Sequence, residues 1–258
     1  MVVNQRVIKI TLTKKIGVNK EMGEEAIYSE QWNISAQYFY NKNYYSWMAD
    51  KLIQYKTVLE VGCGTGYSTL ALVERGYKVI AVEKNQECLK KAKVLLSEKG
   101  YINGEVIFIK GDIATDEIRN AVINKFDFDV VICWNIGTYW NRKMIEYYLP
   151  YMLEYGLNRH QIAENPESSY SELIIWNVCR LAYDKGVAAH IIDRGLEAID
   201  ARTDPYYYTL RDEFRFSSIE YDSKVADSIS SGGRILTTNG IVNAEPKINI
   251  TFISILYR

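Results

Sequence analysis

Val58-Leu-Glu-Val-Gly-Cys-Gly-Thr-Gly-Tyr-Ser-Thr-Leu-Ala-Leu72 decides how this chain folds. It opens as an apolar strand, breaks at Gly62, Gly64 and Gly66, and resumes at helical spacing through Leu70 and Leu72. Glycine has no Cβ to hold a ligand off the backbone and accepts the positive φ values of a tight strand-to-helix turn. The amides that begin such a helix are expected to face the ligand, with the positive end of the helix dipole behind them.

Outward from this turn, short apolar runs alternate with helical ones, as βαβ units require. Strands are expected at Thr57–Val61, Lys78–Val82, Glu105–Ile109 and Asp129–Cys133. Gly76 and Gly100 stop the first two intervening helices, and the second carries Cys88, Ala92 and Leu95 as its inner stripe beneath exposed lysines. Helices are expected at 115–124 and 143–153, and residues 154–168 read as an irregular polar loop. Ser169 and Glu172 have capping-box spacing ahead of a helix over 173–183, which Gly186 ends before a fifth strand at 187–193. Two further strands, 213–220 and 248–256, flank a stretch rich in Ser, Gly and Asn. Within it, Asn239-Gly240 signals a hairpin insertion near 232–245. Upstream, Arg6–Thr13 alternates like an amphipathic strand, and Ile34–Tyr55 reads as one or two aromatic-rich helices. Residues 1–55 are therefore expected to be a strand and a helical cap, and 56–258 the α/β domain.

With 48% hydrophobic and 24% charged residues, the composition is that of a globular domain with a sizeable core. Lys and Arg number 31 against 32 Asp and Glu, and a net charge of −1 gives no support for an extended duplex-binding surface. The four cysteines lie apart in apolar surroundings with no Cys-x-x-Cys pair, the pattern of free buried thiols in a reducing compartment. No run of about 18 apolar residues is present. A cytoplasmic protein without a membrane span or a metal site is expected.

Glycine spacing separates the ligand classes that use such a turn. A dinucleotide fingerprint needs a glycine at the sixth position from Gly62, where Tyr67 stands, and a P-loop needs a Gly-Lys-Ser/Thr that is absent. What remains is Glu-x-Gly-x-Gly-x-Gly, running from Glu60 to Gly66. In this pattern the chain resembles the class I S-adenosylmethionine-dependent methyltransferases, well over residues 28–135 and by element order beyond. The resemblance implies a doubly wound α/β fold whose seven-stranded, mostly parallel sheet takes in an antiparallel last strand, with the helical cap and Tyr38 over the cofactor.

It also implies site residues. Gly62, Cys63 and Gly64 would lie against the methionine part and ribose of S-adenosylmethionine, and Glu60 near the methionyl ammonium. Glu83, 21 residues past Gly62, would grip both ribose hydroxyls, with Lys84 packed on the adenosine. Asp112 would accept the adenine amino hydrogen, Ile113 would cover the ring, and Trp134 would border the cofactor at the end of the fourth strand. Cys63 reads as a small packing residue rather than a nucleophile.

The acceptor side is read from the residues beyond Trp134. Asn135, Tyr139 and Trp140 are the substrate candidates, and the Asn/Asp-Pro-Pro-Tyr of enzymes that methylate planar amides or base nitrogens is missing. Of two histidines, His190 late in the fifth strand is the candidate base. The reading is methyl transfer to a small molecule by in-line displacement. A tRNA or rRNA methyltransferase, using Lys90, Lys91, Lys93 and Lys99 as a basic face, and a catalytically silent S-adenosylmethionine-binding partner subunit are the alternatives.

Overall fold

The computed structural model describes residues 8–11, 23–101, 104–134, 144–204, 206–229, 235–238 and 247–258. The central strands are β2 (Thr57–Val61), β3 (Lys78–Glu83), β4 (Val106–Lys110), β5 (Val130–Trp134), β6 (Ala188–Gly195), β7 (Ile219–Ile229) and β9 (Lys247–Tyr257). They form one sheet in the order β4-β3-β2-β5-β6-β9-β7. The first five are parallel, and β9 runs antiparallel between β6 and β7, as expected of the last strand. A separate antiparallel pair joins β1 (Ile8–Thr11) to β8 (Ile235–Thr238). The Asn239-Gly240 turn lies outside the described residues.

Strands buried on both faces place alternate residues in two cores. Val58 faces one and Leu59 the other, both at 0% exposure. The first core is closed by α1 (Glu24–Asn41), α2 (Tyr44–Ala49), α3 (Tyr67–Val73) and α4 (Gln86–Glu98). The second is closed mainly by α5 (Asp116–Lys125), α6 (Met144–Tyr155), α8 (Pro166–Lys185) and α9 (Tyr207–Glu213). The N-terminal helices are thus a full layer of the molecule, with Phe39 and Met48 buried and Phe39 packed edge-on against Phe252 of β9.

Three segments differ from expectation. Residues 154–168 are not a loop: Asn158 caps α7 (Arg159–Glu164) by accepting from the Gln161 amide, and Pro166 stands in the first turn of α8. Ser169 therefore sits buried inside a helix rather than capping one. Nor is 213–220 a strand, because Asp204 accepts from the amides of Tyr206, Tyr207 and Tyr208 and starts α9, which delays β7 to Ile219.

Parallel pairing brings the carboxyl ends of β2, β3, β4 and β5 to one edge, and strand order reverses between β2 and β5. That reversal opens the crevice where such sheets hold ligands.

Candidate functional site

The turn from β2 to α3 runs through Gly62, Gly64 and Gly66, with φ of 78°, 55° and 90°. Four amides of the turn itself are already engaged. Gly62 and Cys63 donate to the Val82 carbonyl, Gly66 donates to the Cys63 carbonyl, and Gly64 donates to Glu83 Oε2 at 2.8 Å. A Cβ on Gly64 would stand 2.2 Å from Trp32 Nε1, so the α1 indole lies directly on the backbone there. Cys63 is buried, and burial first, then the Glu60 and Glu83 carboxylates, push its thiol up, away from nucleophilic use.

Glu60 turns inward, not toward the crevice. The Ser68 and Thr69 hydroxyls of α3 donate to its two oxygens, at 2.5 and 2.6 Å. Burial raises its pKa from 4.5 to about 7, against the opposing pull of those hydroxyls and with help from Glu83. The unfolded chain releases this proton near 4.5 and the fold only near 7, so the associated stability is full below 4.5 and gone above 7. Glu60→Gln, neutral throughout, is expected to match the parent at pH 4.5 and exceed it by up to about 3 kcal/mol at pH 8. Urea midpoints at both values check this, and an equal difference at the two would refute it.

Glu83 closes β3 and ties the site together. Its Oε2 takes the Gly64 amide and its Oε1 the Asn85 amide, both at 2.8 Å. Burial raises its pKa, and the two amides offset part of that. Each oxygen keeps a second lone pair, which suits a vicinal diol. Asn85 caps α4 through its Oδ1, and its Nδ2 donates to the Glu25 carbonyl, which fixes the start of α1 over the strand ends.

Asp112 follows β4. Its Oδ1 accepts from the Ala114 amide, and its Oδ2 accepts from the hydroxyls of both Tyr148 on α6 and Tyr170 on α8. Neither tyrosine was singled out from the sequence, where they lie 36 and 58 residues away. Arg119 braces the same turn by donating to the carbonyls of Ile113 and Ala114. Ile113 is buried in the second core. Lys84 Nζ lies 3.9 Å from Asp112 Oδ2 and 3.7 Å from the centre of the Tyr170 ring.

Three more expected site residues, His190, Trp134 and Tyr38, stand elsewhere. His190 lies at 0% exposure between Trp134, whose indole N–H donates to Nδ1, and Ser254, 2.9 Å from Nε2. An indole only donates, so Nδ1 accepts and Nε2 carries the proton. Burial lowers the pKa to about 3. His190 is a neutral core residue rather than a base, and Trp134 is buried as its partner. Tyr38 donates to Asp227 Oδ2 at 2.6 Å, and Tyr44 bonds the other oxygen, so Tyr38 braces α1 against β7. Asn135, Tyr139 and Trp140 lie outside the described residues.

Among the described residues, no cluster of His, Cys, Asp and Glu could hold a metal, and no helix is long and apolar enough to cross a membrane. The four cysteines are free and buried. The residues present fit an adenosine-bearing donor: Glu83 has lone pairs to spare, and the Lys84 amine is buried without a hydrogen bond to any described residue.

Residues 58–153 match a family described as a methyltransferase domain. A protein-L-isoaspartate O-methyltransferase of Herpetosiphon aurantiacus is 32% identical over 68 residues, which is 26% of this chain and 30% of that protein. Another of that name, from Christiangramia forsetii, is 50% identical over 44 residues, 17% of this chain and 21% of the relative. The chain thus spans less than a third of the length of these relatives. A solved structure, precorrin-6y C5,15-methyltransferase from Geobacter metallireducens, aligns with 83% of this chain and 88% of its own, at 9% identity and a TM-score of 0.47.

Proposed function

We propose that the chain is a class I S-adenosylmethionine-dependent methyltransferase, a reading supported by the methyltransferase-domain match over residues 58–153, and that it carries the methyl group of that donor to a small-molecule acceptor. The observation that supports the donor best is Glu83, whose carboxylate is held by the Gly64 and Asn85 amides with one lone pair left on each oxygen. S-adenosylmethionine, when bound, supplies an electrophilic methyl on a sulfonium, so the protein's task is alignment and exclusion of water. Glu83 accepts the ribose hydroxyl protons. The turn at Gly62–Gly66 supplies a surface without side chains, and Trp32 shields it from solvent. Asp112, its other oxygen held by Tyr148 and Tyr170, accepts from the adenine amino group through the free lone pair of Oδ1. Lys84 and Ile113 complete that end, and Asn135, Tyr139 and Trp140 remain the acceptor candidates by sequence alone.

A small acceptor is favoured because a net charge of −1 gives no support for an extended basic face for RNA. With His190 neutral in the core, that residue contributes no base, and a neutral amine acceptor needs none.

Two measurements test the reading. S-adenosylhomocysteine at a hundredfold over its Kd is expected to stabilise the fold by about 3 kcal/mol, seen as a rise in Tm of several degrees. A shift with NAD and none with S-adenosylhomocysteine would refute the donor. Incubation with methyl-labelled donor and a cell extract is expected to label a low-mass fraction, whereas label in RNA or protein would refute the small-molecule acceptor.

A further inference from the structure

Lys84 leaves β3 between Glu83 and Asn85, and its amine is closed off from solvent without a hydrogen bond to any described residue. The nearest carboxylate oxygen, Asp112 Oδ2, is 3.9 Å away, beyond hydrogen-bond reach, and already takes the hydroxyls of Tyr148 and Tyr170. What balances the charge is Asp112 at that distance and the face of Tyr170, with the Tyr148 ring 5.6 Å off. A buried donor left without an acceptor is costly, and an apolar side chain would fill the place at less cost. The groups facing the amine are Asp112, Glu83, Glu167 and Glu25, and their combined pull does not offset burial, which lowers the pKa to about 8.

The arrangement restricts what could satisfy the amine. An anion would meet the Asp112 and Glu83 carboxylates on either side of Lys84, so the acceptor is a neutral atom. Aromatic faces and the lack of solvent suit a planar heterocycle. The Lys84 amine also feels both the Glu83 carboxylate, which suits a vicinal diol, and the Asp112 carboxylate, which two phenols hold in place.

We propose that Lys84 Nζ donates a hydrogen bond to a ring nitrogen of the donor's adenine, which makes Lys84 a base-specificity residue of this site. The inference rests on the donor reading above and adds to it an atom-level contact. It also gives the cluster of Asp112, Tyr148 and Tyr170 a purpose: with Oδ2 occupied, the carboxylate attracts the ammonium without capturing it, which leaves its N–H groups for the base.

The test uses S-adenosylhomocysteine and its 1-deaza, 3-deaza and 7-deaza analogues, each lacking one ring nitrogen, titrated calorimetrically against the parent protein and Lys84→Met. One analogue is expected to bind the parent about 10- to 100-fold more weakly than S-adenosylhomocysteine, yet as well as S-adenosylhomocysteine on Lys84→Met. For the parent, S-adenosylhomocysteine affinity should fall as pH rises through about 8, where the ammonium is lost, while the sensitive analogue stays flat. That pH comparison needs no variant, so a Lys84→Met that failed to fold would not shelter the proposal. Lys84→Gln, which keeps an N–H donor, should recover part of the discrimination. Analogue ratios that are the same with and without Lys84, or equal pH profiles for all four ligands, would overturn it while leaving the donor reading intact. Failure of the parent to bind any of the four would overturn both.

Discussion

Gly66→Ala is expected to destabilise the protein by about 3 kcal/mol, because two costs fall on one methyl group. The residue has φ of 90°, where an L side chain is strained, and the added Cβ would stand 2.8 Å from Ala92 Cα and 2.9 Å from Ala92 Cβ. Neither the turn nor α4 can retreat cheaply, since Leu96 closes the third side at 3.2 Å. Gly76 is the control. Its φ of 84° is nearly the same, but a Cβ there meets nothing within 4 Å, so Gly76→Ala should show the backbone cost alone, about 1 kcal/mol. Urea midpoints of the two variants separate the terms. Equal losses would mean that close approach of α4 does not constrain the turn.

Glu83→Ala is expected to weaken S-adenosylhomocysteine binding at least about 100-fold, since two charge-assisted hydrogen bonds to the ribose are lost together. The same change orphans the Gly64 and Asn85 amides, at a cost of about 2 kcal/mol in stability. Glu83→Gln separates the two effects, because its amide oxygen still accepts one backbone N–H. It should recover part of the stability and little of the affinity. Affinity unchanged in both variants, measured by calorimetry, would remove Glu83 from the ligand site.

Much of the sheet could be read from sequence because parallel strands buried on both faces appear as short apolar runs, and glycines punctuate them. Thr57–Val61 has the expected bounds, and Gly76 and Gly100, with φ of 84° and 86°, end their helices. The start of α1 was less visible: Gly23 offers no side-chain cap, and the aromatic pattern hides the helix upstream of Ile34. The sequence does carry start signals for these segments, Asn158 and Pro166 for the helices at 159–185 and Asp204 for α9, but they are single polar or proline residues without the apolar periodicity that marks the other helices.

The site divides along similar lines. The positions of Glu83 and Asp112 at strand ends were visible because local order alone sets them. Trp32, Tyr148 and Tyr170 were not, since their positions depend on how α1, α6 and α8 cross the sheet. His190 shows the opposite failure. Its place on β6 was right, but it is the third of eight residues rather than late in the strand, and the side it faces sends it to Ser254 and Trp134.

Three adjacent strands, β4, β3 and β2, carry the glycine turn, Glu83, Lys84 and Asp112 between residues 60 and 112. That half is self-contained at backbone level: its turns are held by one another through Val82, Gly64 and Asn85 rather than by the later strands. Side chains from beyond β5 reach this half chiefly at Asp112, where Tyr148 and Tyr170 brace one carboxylate oxygen.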